Sequence, residues 1–140
     1  MKCNHTPILL LEGKRSIVWS SKTFLEERGY EVHTARSRRE ALDEISRHHF
    51  SALITEYILE GANTLNIVRQ VKEANPESYV LLLTNVTLDR KAHEEVRAAG
   101  VDDYFIKPFP LEKILAFLEK GMRESIGLEE TAPHDRRTGR

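Results

Sequence analysis

The sequence predicts an α/β fold: an open, doubly wound sheet of five parallel strands with helices on both faces. Two observations carry this expectation. Short apolar runs alternate with helix-period stretches five times along the chain, and the connections are short. The runs Ile8–Leu11, Ala52–Thr55 and Tyr79–Leu83 are almost continuously apolar, the pattern of strands buried on both faces of a parallel sheet. Glu31–Thr34 is more polar and fits an edge strand. Asp103–Ile106 supplies the fifth strand, with Tyr104 and Phe105 on opposite faces.

Each intervening segment has its own helical signal. Ile17, Ser21, Phe24 and Leu25 share one face, and Gly29 follows as a stop. Ser37 and Glu40 form a capping-box pattern ahead of Leu42 and Ile45. Ile67, Val71 and Ala74 line a third helix that Pro76 ends. Ala92, Val96 and Ala99 make a weaker stripe before Gly100. Leu111, Ile114, Leu115, Leu118 and Met122 make the strongest one, with Pro110 suited to the first turn.

Composition narrows the function. The chain has 140 residues, enough for one domain whose fold buries roughly two thirds of the unfolded chain's surface. It carries 21 basic and 22 acidic side chains, so no global basic field favours nucleic acid, and direct nucleic-acid binding is not expected. Cys3 is the only cysteine, which excludes an internal disulfide and any multi-cysteine zinc site. The longest apolar runs are too short to span a bilayer, so a cytoplasmic protein without membrane contact is expected. Residues 1–126 read as one domain. Residues 127–140, with balanced charge and no apolar period, read as a flexible tail or the start of a linker.

Ligands of open parallel sheets bind beyond the carboxyl ends of the strands. Four chemistry-bearing residues are expected there: Glu12 after the first strand, Glu56 after the third, Thr84 ending the fourth, and Lys107 after the fifth. A structural ion-pair cluster closing the sheet is the plain reading. The functional reading is a phosphoryl or oxyanion site, in which Thr84 and Lys107 hold a tetrahedral anion and the carboxylates hold a divalent cation.

At these positions the sequence resembles the receiver domain of two-component response regulators, over about residues 7–125. The resemblance rests on Ala99-Gly100-Val101-Asp102-Asp103-Tyr104-Phe105-Ile106-Lys107-Pro108-Phe109, with Gly29-Tyr30-Glu31-Val32, Glu40-Ala41-Leu42 and Leu81-Leu82-Leu83-Thr84 in support. It implies a flavodoxin-like fold with strand order 2-1-3-4-5 and a signalling module rather than an enzyme. It implies that Glu56 stands at the phosphoacceptor position, that Thr84 and Lys107 form the phosphoryl pocket, and that Tyr104 with Thr84 forms the switch. Glu12, Glu56 and the carbonyl of Ile58 would be the Mg²⁺ ligands. It implies a cis Lys107-Pro108 peptide. A histidine kinase or an output domain would be the partner, with a homodimer through the fourth helix, fifth strand and fifth helix.

The departures from that pattern lie in the chemistry. The family has a second acid where Gly13 stands, an aspartate where Glu56 stands, often a proline where Glu60 stands, and a small residue where Asn85 stands. A glutamate carries its carboxylate up to ~1.5 Å further out than an aspartate, and in-line transfer tolerates little displacement. With one acid missing, Mg²⁺ binding should be weak or lost. The expected function is therefore a receiver-like module with a degenerate acidic pocket, locked by a Glu56–Lys107 pair and acting through protein contacts without phosphorylation. The alternative is a working receiver phosphorylated by a histidine kinase with Mg²⁺. A flavodoxin-like cofactor-binding protein is a further alternative, but the loop Glu12-Gly13-Lys14-Arg15-Ser16 lacks the glycines a phosphate cradle needs.

Other residues have plain readings. Trp19 lies off its helix stripe and is expected to be partly covered. Arg36, Arg38, Arg39 and Arg47 read as a solvated basic face. The six histidines show no metal-type spacing with partner ligands, so no zinc site is expected.

Overall fold

The computed structural model describes residues 7–125. The tail expected at 127–140 lies outside the described residues. Five parallel strands form the sheet: β1 (Ile8–Leu11), β2 (Val32–Ala35), β3 (Ala52–Glu56), β6 (Tyr79–Thr84) and β7 (Asp103–Ile106), in the order β2-β1-β3-β6-β7. A small antiparallel hairpin, β4 (Ile58–Leu59) and β5 (Ala62–Asn63), follows β3. Among the described residues, four helices connect the sheet strands, α1 (Arg15–Glu26), α2 (Arg38–Arg47), α3 (Leu65–Ala74) and α4 (Arg90–Ala99), and a fifth, α5 (Leu111–Ser125), follows β7. Counting sheet strands alone, the order is 2-1-3-4-5, as the resemblance implies.

The central strands are buried along their whole length, which is why they read as unbroken apolar runs. Alternation along them feeds two cores. Leu9, Leu11, Leu53, Val80 and Leu82 pack under α2, α3 and α4 with Ile67, Val68 and Val96. Ile8, Leu10, Ile54, Leu81 and Leu83 pack under α1 and α5 with Leu25, Ile114 and Leu118. On β7, Tyr104 joins the first core and Phe105 the second. Tyr79 is 1% exposed and donates its hydroxyl to Asp103 at 2.8 Å.

The helix ends follow their local signals. Ser37 caps α2 by accepting from the Glu40 amide at 3.1 Å, and Glu40 reaches back to the Arg36 amide at 2.7 Å. Asp89 caps α4, and Gly100 ends it at φ +113°, a conformation that favours glycine.

Several expectations need correction. The second strand runs Val32–Ala35, one residue later than the polar pattern placed it, because Val32 and Ala35 are its buried ends. The segment after β3 is a hairpin, with Glu60 at φ +55° and Gly61 at φ +80° as its two-residue turn. Leu42 is 38% exposed, and Ala41 with Ile45 faces the core instead. Trp19 is 69% exposed rather than partly covered. Arg36 and Arg38 are not merely solvated: both hold backbone carbonyls of distant loops. His33, Glu44 and His48 converge between β2 and α2, where linear spacing indicated no metal-type set.

Candidate functional site

The site stands on the carboxyl ends of β1, β3 and β7. Glu12 directly follows β1, and its backbone N–H bonds the Ala35 carbonyl at 3.0 Å. Glu56 is the last residue of β3 and lies opposite Leu83 in register. Its backbone is fixed from below: Thr55 and Thr64, both fully buried, donate their hydroxyls to the Glu56 carbonyl at 2.9 and 2.7 Å. Lys107 follows β7, its N–H bonded to the Thr84 carbonyl at 2.8 Å, and the Lys107-Pro108 peptide is cis. A rigid sheet therefore aims three charged side chains at one point.

At that point Lys107 joins both acids. Its Nζ forms an ion pair with Glu56 Oε2 and lies 3.4 Å from Glu12 Oε1. The second Glu12 oxygen accepts the Lys14 amide at 3.0 Å. The acids are 4% and 7% exposed, so this pairing takes place largely out of water. Two carboxylates and one ammonium leave a formal charge of −1, and the acids divide it unequally. Burial, the hydrogen bond with Glu12 and its charge raise the Glu56 carboxyl to about 7, against the pull of Lys107. Burial also pushes Glu12 upward, but its bonds with Glu56, the Lys14 amide and Lys107 outweigh that and lower it. The pair therefore holds one shared proton over the mildly acidic range. Burial alone would lower Lys107; the two glutamates raise it and keep it charged.

The other half of the rim is apolar. A Cβ built on Gly13 would meet Leu59 Cδ1 at 3.3 Å, so a side chain at this position would press on the hairpin. Arg38 fixes the hairpin there. Its amide donates to Glu60 at 3.0 Å, and its guanidinium donates to the carbonyls of Leu59, Ala62 and Asn63 at 2.8–3.1 Å. Arg36 binds the Gly13 carbonyl through two nitrogens, at 2.9 and 3.1 Å. The positive φ of Glu60 shows why no proline stands there: a proline ring fixes φ near −65°.

This donor set does not fit a hard divalent ion. Mg²⁺ takes oxygen ligands in near-octahedral geometry and favours dense carboxylate ligation. Of the residues implied as ligands, Glu12 and Glu56 are joined through Lys107, and the Ile58 carbonyl adds no charge.

The remaining candidates take separate places. Thr84 is buried at the end of β6, but its hydroxyl bonds the backbone of Val86 both as donor and as acceptor, at 3.1 Å each, and does not reach Glu56. Tyr104, half-buried on the edge strand β7, is tied to α4 by a 2.8 Å bond between its hydroxyl and His93 Nδ1. Asn85 is exposed and lines a cavity of about 310 Å³ whose wall includes Glu12, Glu56 and Lys107. Sequence reasoning missed Leu59, Arg36 and Arg38. Ile58-Leu59 and Ala62 flanking Glu60-Gly61 carried a hairpin signal that could have located the first.

Residues 8–119 match the family model described as the response regulator receiver domain. The chain is 31% identical over 120 residues to the response regulator MprA of Mycolicibacterium vanbaalenii, covering 84% of this chain and 51% of that protein. It is 29% identical over 134 residues to the transcriptional regulatory protein TrcR of Mycobacterium tuberculosis, covering 94% and 51%. It thus spans about half the length of these curated relatives. The fold superposes on a CheY-like receiver domain protein from Methanospirillum hungatei with a TM-score of 0.81 at 22% identity, covering 88% of this chain and 98% of that one. The chemotaxis protein CheY4 of Vibrio cholerae gives a TM-score of 0.75 at 26% identity, covering 84% and 98%. On its sheet order, its strand-end residues and these likenesses, the chain belongs to the response regulator receiver domain family of two-component signalling.

Proposed function

We propose that this receiver domain works without phosphorylation, its acidic pocket held in one state by its own lysine. Receiver domains typically bind Mg²⁺ at the phosphorylation site, and phosphoryl transfer relies on that ion to neutralise developing charge. The observation that carries the proposal is the bridge of Lys107 to both Glu56 and Glu12. It occupies the would-be acceptor and supplies positive charge where the metal would act. Leu59 beside Gly13 supports the same reading, because a side chain at position 13 would have to displace it. The carboxylate of Glu56 reaches Lys107 unaided, so the pocket needs no phosphoryl group to engage that lysine.

The output then runs through protein contacts. Helix α4, strand β7 and helix α5 form the face proposed for a second copy or for an output partner. The bond between Tyr104 and His93 fixes the aromatic ring of that face against α4. A kinase could still dock without transferring phosphate. The domain is proposed to act as a binding module and not as an enzyme, in the cytoplasm.

Incubation with Mg²⁺ and a small acyl-phosphate donor tests this directly. The expected mass spectrum is that of unmodified protein, with no change in the thermal midpoint on adding Mg²⁺. Stoichiometric phosphate on Glu56 would establish the working-receiver alternative instead.

A further inference from the structure

A second polar cluster lies on the opposite margin of the sheet, away from the Lys107 pocket. On the edge strand β2, Val32 packs into the core beneath α1, so alternation turns His33 toward α2. There its Nδ1 lies 2.9 Å from Glu44 Oε1. Glu44 and His48 are four residues apart on α2 and its C-cap, so both project over the same turn, with His48 Nε2 3.9 Å from the same Glu44 oxygen. The rings of His33 and His48 meet edge-on at 4.4 Å and rest on Phe50. One ligand atom from each of His33, Glu44 and His48 lies within 4.8 Å of the others.

We infer that His33, Glu44 and His48 form a binding site for a borderline divalent transition ion, with zinc as its representative. Two imidazoles and one carboxylate are the ligand types such ions favour over Mg²⁺ or Ca²⁺. Bonds of about 2.0–2.2 Å in a tetrahedral arrangement place ligand atoms about 3.3–3.5 Å apart. The two separations from Glu44 Oε1, 2.9 and 3.9 Å, bracket that value, and no two of the three ligand atoms lie more than 4.8 Å apart. The fourth position is left to water.

An independent feature prepares His33 for this role. Its other nitrogen, Nε2, bonds Glu31 Oε2 at 2.8 Å. A carboxylate behind a ligating imidazole fixes the tautomer and raises the basicity of the ligand. With Glu31 accepting from Nε2, Nδ1 is the nitrogen turned toward Glu44 and His48. The metal would take the place of the proton between Nδ1 and Glu44, and that proton would leave to solvent. Side-chain exposures of 21%, 21% and 37% leave an entry path.

The ion would clamp β2, which among the described residues pairs with β1 alone, to the end of α2. Calorimetric titration of the metal-stripped full chain with ZnCl₂ tests the site. One saturable site is expected. His33→Gln or His48→Gln should each weaken it at least tenfold. Glu31→Gln should weaken it about tenfold without removing a ligand, and His49→Gln, an exposed neighbour outside the cluster, should leave it unchanged. Saturating zinc should raise the thermal midpoint by about 5–10 °C. In the wild-type protein the ring resonances of His33 and His48 should shift first. Absence of saturable binding, unchanged binding in the His33→Gln/His48→Gln double variant, or shifts confined to other histidines would overturn the assignment.

Discussion

The two halves of the pocket rim differ in kind. The β6–β7 half carries Thr84, Tyr104 and the cis Lys107-Pro108 peptide, positions on which the sequence resembles the receiver pattern, with Asn85 as its one departure. The β1–β3 half carries Gly13, Glu56 and the Leu59 hairpin, where the acids needed for a metal are missing or lengthened. On the proposed reading, the difference teaches how a receiver fold can give up a metal site without losing its scaffold. Strand ends are fixed by ladders and buried threonines, whereas the ligands are side chains that a neighbouring lysine and leucine can replace.

The largest expected effect breaks the bridge itself. Lys107→Ala leaves two buried carboxylates facing each other without a cation. It should destabilise the domain by about 2–3 kcal/mol at pH 8 in urea unfolding, and by less at pH 6, where a shared proton partly relieves the repulsion. An equal loss at both pH values would mean that Lys107 contributes packing alone.

The apolar half is tested by restoring its acid. Gly13→Asp should cost about 1–2 kcal/mol, because Leu59 must yield to the new Cβ. It should not confer a Mg²⁺-dependent rise in thermal midpoint. Gly13→Asp with Leu59→Ala should not confer one either, because Lys107 still bridges both acids; a Mg²⁺-dependent rise in that double variant would locate the block at the hairpin rather than at Lys107.

The smallest effect is a slope with pH. The Glu56 carboxyl lies raised at about 7 in the fold, above its usual value of 4.5. A raised group contributes stability that is complete below its unfolded pKa and is lost as pH rises through the folded one. Stability measured in EDTA should therefore fall by about 1 kcal/mol per pH unit as pH rises toward and just past 7. Lowering of Glu12 acts in the opposite sense at the acid end, where stability is lost as pH falls below about 4.5. The groups facing Glu56 are Glu12 from β1 and Lys107 from β7, so Glu56→Gln should flatten the neutral slope and leave the acid limb.

Much of this was legible in the sequence. The apolar runs of β1, β3 and β6 named their strands because both faces are buried, and Gly100 and Pro76 marked helix ends by backbone chemistry alone. Glu12, Glu56 and Lys107 could be placed together because topology brings strand ends to one rim. What was not legible depends on contacts between distant segments. Arg38 looks like surface charge until the hairpin carbonyls lie beside it, 21 to 25 residues away. Thr84 has the right position, yet its hydroxyl turns to Val86, a choice of rotamer that no spacing encodes. The His33, Glu44 and His48 cluster was not read from the sequence, because His33 comes from a different element than Glu44 and His48.

The bridge at Lys107 has one more consequence. A magnesium ion or a phosphoryl group comes and goes with supply, whereas the ammonium of the Lys107 side chain is present in every molecule made. On the proposed reading, nothing detachable remains to be switched off, and the strength of the message follows copy number: how fast the chain is synthesised and how soon it is degraded.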